Sequence, residues 1–181
     1  MDENLIPVVD EKPPRKQYSI LLIVIAVIVG LDQWTKWLVR TNLSLNTSWL
    51  PESLSWLSPY ARITYIQNKG ASFGMFQDGK VVLSILTVLV IIAAIYYVLT
   101  VDFADGWMLA AAGLYIGGAI GNLIDRLTIG SVTDFVSVGT FYIFNVADAS
   151  INVSVAMLLL VLWIHERRKP NMTTPTEGET L

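Results

Sequence analysis

The chain has 181 residues, 54% of them hydrophobic and only 15% charged, with a formal net charge of −3. Soluble domains run at about 45–50% apolar and about 25% charged, so this is the balance of a membrane protein; with no basic stripe or stacking platform, it speaks against nucleic acid as a partner. The lack of cysteine removes disulfides, thiolate nucleophiles and Cys-built zinc sites, and the single histidine, His165, removes His-pair metal sites. No cofactor and no metal are expected.

Residues 1–17 are polar and proline-bearing and read as a disordered tail. Lys12, Arg15 and Lys16 precede an apolar run in the manner of a signal peptide. Leu31-Asp32-Gln33-Trp34 offers no small-residue cleavage site, however, so the run is read as a first span, about 18–39. At 1.5 Å per residue it covers about 33 Å, enough for a bilayer core. Asp32 and Lys36 stand four apart on one helical face. The pair reads equally as a helix-end ion pair with Lys36 reaching outward, or as part of a site.

Residues 41–79 form the sizeable non-membrane region, with Trp49, Trp56 and Tyr60 suited to the headgroup layer. Arg62 to Gln67 is β-branched and aromatic with rough period two and predicts a strand, with Leu43 to Leu45 as a partner. Asn68-Lys69-Gly70 breaks it, and Ala71 to Phe76 reads as a short interfacial helix. The second span, 81–101, carries no charge inside the apolar run. A tight turn at 102–106 joins it to the third, 107–126, where Gly113, Gly117 and Gly121 make a close-packing stripe that Asn122, Asp125 and Arg126 terminate. Residues 127–140 read as a second loop, on the same side as 41–79. The fourth span, 141–164, places Asn145, Asp148 and Asn152 on one face, Asp148 about two turns in. A basic cluster and a polar tail, 166–181, follow. Four spans put both termini on one side. Lys and Arg tie at six on each side, but the terminal clusters are denser, which leans the termini toward the cytoplasm.

Gly70-Ala71-Ser72-Phe73-Gly74 matches the nucleophile-elbow pattern, but the only histidine lies at the far end of the fourth span, roughly 30 Å from Asp148. Asn46-Thr47-Ser48 and Asn171-Met172-Thr173 match a glycosylation pattern short enough to arise by chance. The carboxylates remain. Asp134 and Asp148, near one face of the bilayer, would form a dyad in which like charges in low dielectric share a proton. One member then activates water while the other polarises the scissile carbonyl. The blander reading has Asp134 capping a turn and Asp148 paired with Arg126. A different class, a small transporter or proton relay using Asp125 and Asp148, is weakened by the absence of internal repeats.

The set Asp32…Lys36, Gln67-Asn68-Lys69-Gly70-Ala71-Ser72-Phe73, Gly121-Asn122-Leu123-Ile124-Asp125-Arg126, Val132-Thr133-Asp134-Phe135 and Phe144-Asn145-Val146-Ala147-Asp148 resembles the lipoprotein signal peptidases (signal peptidase II) of bacteria. The likeness runs from about residue 20 to 165 in the same order. It implies an all-α integral membrane protein of four transmembrane helices within 18–165, with a small extracytoplasmic β-cradle from 41–79. It also implies an aspartyl endopeptidase that cuts diacylglyceryl-modified prolipoproteins just before the lipidated cysteine. By position the catalytic pair falls on Asp134 and Asp148. Supporting positions fall on Asn68, Gly70, Asn122, Asp125, Arg126 and Asn145, with Asp32 and Lys36 as the first-helix pair. Ser72 departs from the alanine expected there, and the stretch between the two catalytic positions is short. The resemblance further implies a monomer in the bacterial inner membrane, termini cytoplasmic and active site at the outer face, in contact with membrane lipid and inhibited by globomycin-type peptide antibiotics.

Overall fold

In a computed structural model that describes residues 15–70, 80–101 and 106–168, the chain runs α1 (Arg15–Asn42), β1 (Ser48–Trp49), a 3-10 turn (Glu52–Leu57), β2 (Ala61–Asn68), α2 (Lys80–Thr100), α3 (Gly106–Thr128), β3 (Val132–Val138) and α4 (Val146–Arg168). The terminal tails, the helix expected at 71–76 with Ser72, and most of the turn expected at 102–106 lie outside the described residues.

Four helices are long and apolar enough to cross a membrane. The protein is a mostly helical bundle with one small sheet. α3 is its centre because its small residues let neighbours approach on two sides. A Cβ on Gly113 would come within 2.9 Å of Val24 Cβ, and one on Gly117 within 3.0 Å of Ile28 Cβ, so this stripe fits α1. Gly118 points the other way: a Cβ there would sit 2.5 Å from the Ala147 carbonyl of α4. Close backbone approach of this kind replaces the hydrophobic drive that lipid does not supply. α2, by contrast, buries only Ser84 and Val98 and packs chiefly on α3. Its remaining surface, including Val81, Tyr96 and Leu99, is exposed apolar material suited to lipid tails.

The sheet has the order β1-β2-β3, antiparallel throughout, with a bulge between Ile63 and Ile66 that places one extra β2 residue against β3. Val39 of α1 packs against Tyr65 and Phe135 of the sheet, which fixes the sheet to the end of α1. Three expectations are corrected. Residues 127–140 are not a plain loop: Val132–Val138 is a strand, because β2 offers it a full ladder from Ala61↔Val138 to Asn68↔Val132. The partner of β2 on its other edge is Ser48–Trp49, not Leu43 to Leu45, since the backbone turns at Asn46, which has a positive φ of 63°. The fourth helix begins at Val146, not 141. Before it, Phe144 bridges back to Val136, its amide donating to the Val136 carbonyl at 3.1 Å and its carbonyl accepting from the Val136 amide at 2.7 Å.

Candidate active site

The late start of α4 places Asp148 in its first turn. Asn145 is the cap. Its Oδ1 accepts the Asp148 amide at 2.9 Å, while Asp148 Oδ2 accepts the Asn145 amide at 3.3 Å. This reciprocal arrangement satisfies two helix-end donors at once and fixes the Asp148 carboxylate beside the positive end of the helix. Asp148 Oδ1 accepts from Asn122 Nδ2 of α3 at 2.8 Å. The residue is half-buried, so water reaches it.

Asp134, on β3, is 3% exposed. Its Oδ1 accepts from Asn145 Nδ2 at 2.7 Å and its Oδ2 from Asn68 Nδ2 at 3.0 Å. Asn68 is oriented in turn by the Gly70 amide, which donates to its Oδ1 at 3.0 Å. Burial, and then the negative charge of Asp148, push the Asp134 carboxyl up to about 7; the amide donors Asn68 and Asn145 and the Lys36 ammonium oppose them. Asn145 thus holds both carboxylates, one by its side-chain amide and the other through the helix cap.

Behind this pair lies a second polar layer. Lys36, fully buried, meets Asp32 Oδ2 at 2.8 Å and Asp125 Oδ2 at 3.6 Å, and donates to Asn122 Oδ1 at 3.0 Å. Asn122 Oδ1 also accepts from Asn145 Nδ2 at 3.1 Å. Asp32 Oδ1 accepts the Ala147 amide at 2.9 Å. Gly121 is required beside it, because a Cβ there would come 2.5 Å from Asp32 Oδ2. Asp125 Oδ2 accepts the Thr133 amide at 2.9 Å, and its Oδ1 meets Arg40 Nη1 at 3.3 Å, which itself donates to Thr133 Oγ1 at 3.1 Å. Three buried ions with every partner in place are tolerable, whereas any one left alone would be expensive.

Of the positions singled out from sequence, Asp134, Asp148, Asn68, Gly70, Asn122, Asp125, Asn145, Asp32 and Lys36 are thus joined in one hydrogen-bonded cluster. Arg126 is not bonded into it. It is partly exposed, within the electrostatic reach of Asp148, Asp134 and Asp125, and forms no ion pair within 4 Å among the described residues. Asp125 therefore pairs with Lys36 and Arg40 rather than with Arg126, and the Asp148 carboxylate takes Asn122 as its α3 partner in place of Arg126. Three contributors escaped the sequence reading: Arg40, Thr133 and Gln33, whose Nε2 donates to the Gly121 carbonyl at 3.0 Å and to Asp32 Oδ2 at 3.1 Å. Arg40 carried a signal, since Asp32, Lys36 and Arg40 follow one another at four-residue steps along a single face. His165 sits in the last turn of α4 with Nδ1 against the Val161 carbonyl, about 26 Å along the helix from Asp148.

Four spanning helices with two carboxylates joined through one asparagine at the end of the bundle define a multi-pass membrane enzyme. The signal peptidase (SPase) II family model matches residues 24–164. The lipoprotein signal peptidase of Streptococcus thermophilus strain CNRZ 1066 is 40% identical over 80% of this chain and 92% of its own length, and that of Halothermothrix orenii 36% identical over 80% and 96%. Two solved bacterial membrane enzymes, determined by the in meso method, superpose with TM-scores of 0.77 and 0.71. They are 26% and 28% identical, over 86% and 80% of this chain and 94% and 92% of theirs. The chain belongs to the signal peptidase II family: it is a protease of lipoprotein processing and a multi-pass bacterial membrane protein.

Proposed function

We propose that the chain is an aspartyl endopeptidase that removes the signal peptide from diacylglyceryl-modified prolipoproteins, cutting just before the lipidated cysteine. The observation that carries this reading is the Asn145 bridge: it ties a carboxyl raised to about 7, Asp134, to a water-accessible carboxylate, Asp148. Asp148, ionised, takes a proton from water as the water oxygen attacks the scissile carbonyl. Asp134, protonated, donates to the carbonyl oxygen as it gains charge. In the tetrahedral intermediate the proton on Asp148 passes to the amide nitrogen while the C–N bond breaks, and Asp134 recovers its proton from the intermediate's hydroxyl.

The substrate arrives by lateral diffusion, its signal helix lying beside α3 and α4, so that the scissile bond reaches the headgroup level where the sheet and the start of α4 meet. Both termini are cytoplasmic and the sheet is the outer cradle. The enzyme works as a monomer, with globomycin-type peptides as inhibitors that occupy the dyad. The test is cleavage by purified protein of a lipobox peptide with and without the diacylglyceryl group. Cutting confined to the lipidated peptide, and unaffected by chelators or serine reagents, is the expected result. Equal cutting of both peptides, or loss with a chelator, would overturn the reading.

A further inference from the structure

Beside the last turns of α1, a cavity of about 590 Å³ opens between the helix and the strands. Its α1 wall is a single stripe, Thr35, Leu38, Val39 and Asn42, and Ile63, Trp49 and Phe135 cover it. The volume falls within the range of about 300–1,000 Å³ typical of ligand sites. Water is a poor occupant. Thr35 Oγ1 is spent on the Leu31 and Asp32 carbonyls and Asn42 Nδ2 on the Leu38 carbonyl, so the hydrogen-bond donors of the stripe turn back onto their own helix.

We infer that this cavity is a retained-lipid site that takes one acyl chain of a bilayer phospholipid. Two observations identify the occupant. The cavity's α1 stripe runs on, one turn earlier, into exposed Leu31 and from there to Val27 and Ile23 on the outward apolar surface of the helix. It also lies level with Trp34, Trp37 and Trp49, each more than half exposed, the ring belt that marks where acyl chains meet headgroups. The lipid of the substrate is the wrong source. Its chains hang from the cysteine beside the scissile bond, whereas Thr35, Leu38 and Asn42 lie roughly a quarter turn or more round α1 from Asp32 and Lys36, the face that meets the site. The chain in the cavity supports the strand that carries Asp134. Phe135 is the next residue, and Val39 precedes the Arg40 that holds Thr133.

The coupling to activity rests on the proposed role of Asp134; the lipid site itself does not. The experiment is native mass spectrometry of the full chain, stripped of lipid by detergent exchange and titrated with palmitoyl-oleoyl phosphatidylglycerol, alongside cleavage of the lipidated peptide. Leu38→Trp and Ile63→Trp fill the cavity from opposite walls, so a fold defect in one leaves the other informative. The wild type should retain one lipid and recover cleavage on its addition. The filled variants should lose lipid occupancy by about tenfold, which corresponds to about 1.4 kcal/mol, and should cleave without added lipid. Undiminished lipid retention in both filled variants would overturn the site. So would a wild-type dimer that both variants dissolve, assigning the cavity to a second copy, or phospholipid raising the KM of the lipidated peptide, assigning it to substrate chains. If Asp134→Asn still cuts, the dyad reading fails while the lipid stoichiometry stands.

Discussion

Asp32 of α1 accepts the backbone amide of Ala147 at 2.9 Å, reaching across 115 positions of sequence to the residue before Asp148. The bond caps the second amide of α4 from outside the helix, so two acidic side chains, Asp32 and Asp148, share the work of satisfying that helix end. α1 is thereby more than a membrane anchor. It registers the start of α4 against α3, and Lys36, one turn on, registers Asn122 against Asp148.

Removing Lys36 tests how much that registration matters. Lys36→Met leaves Asp32 and Asp125 buried without their shared cation, and loss of one partner of a buried pair costs about 3–5 kcal/mol. The melting temperature in detergent should fall sharply, and Asp125→Asn, which frees Arg40 and the Thr133 amide, should lower it as well. A melting curve for either variant that overlays the wild type would refute the account of the buried layer.

The two proposed catalytic carboxylates should behave differently from that layer. Asp134→Asn and Asp148→Asn keep shape but forfeit ionisation and proton sharing. Each should remain folded and bind lipidated peptide while losing about 10²–10⁴-fold in cleavage, the range for a lost acid or base. The pH–rate profile should be bell-shaped, its limbs belonging to the pair. Substantial cleavage by either variant would end the dyad proposal.

Asp134 also makes a statement about stability. Its folded carboxyl is raised from 3.8 to about 7, so the folded state binds the proton more tightly than the unfolded chain. The resulting stabilisation is full below about pH 4 and is lost as pH rises through about 7, on the order of 4 kcal/mol at most for three units. The wild type should therefore lose melting temperature between pH 5 and 8, and Asp134→Asn should lose much less. Parallel curves for the two proteins would contradict the raised value.

Orientation is open to a direct measurement. Alkaline phosphatase fused after residue 60 or 130 should be active and after residue 104 inactive. The opposite pattern would put the sheet on the cytoplasmic face.

The spans were legible because lipid imposes a local rule, about twenty apolar residues in a row, that needs no knowledge of the rest of the chain. β3 was not. Val132-Thr133-Asp134-Phe135 is buried on both faces, so the polar–apolar alternation that betrays a half-exposed strand is missing, and only β2 makes the segment a strand. The start of α4 was misread for a related reason: Phe141 to Phe144 is apolar enough to pass for helix, but Phe144 is bridged to Val136. The site residues were legible as motifs, their partners less so. Asp125 and Arg126 are neighbours in sequence, and neighbours on a helix do not face one another; the cation that Asp125 needs comes from α1.

α2 contributes two buried side chains, Ser84 and Val98, from twenty-one residues. Most of its letters therefore answer to the solvent, which here is hydrocarbon, and to no partner inside the chain. Such a helix is interchangeable in a way that α3 is not. A scrambled α2 that preserves length, hydropathy and those two positions should retain the fold, whereas a single methyl added at Gly118 strikes the Ala147 carbonyl and Ser150 Oγ. Tolerance to change in this protein is set by what each helix touches, and it varies from helix to helix within one bundle.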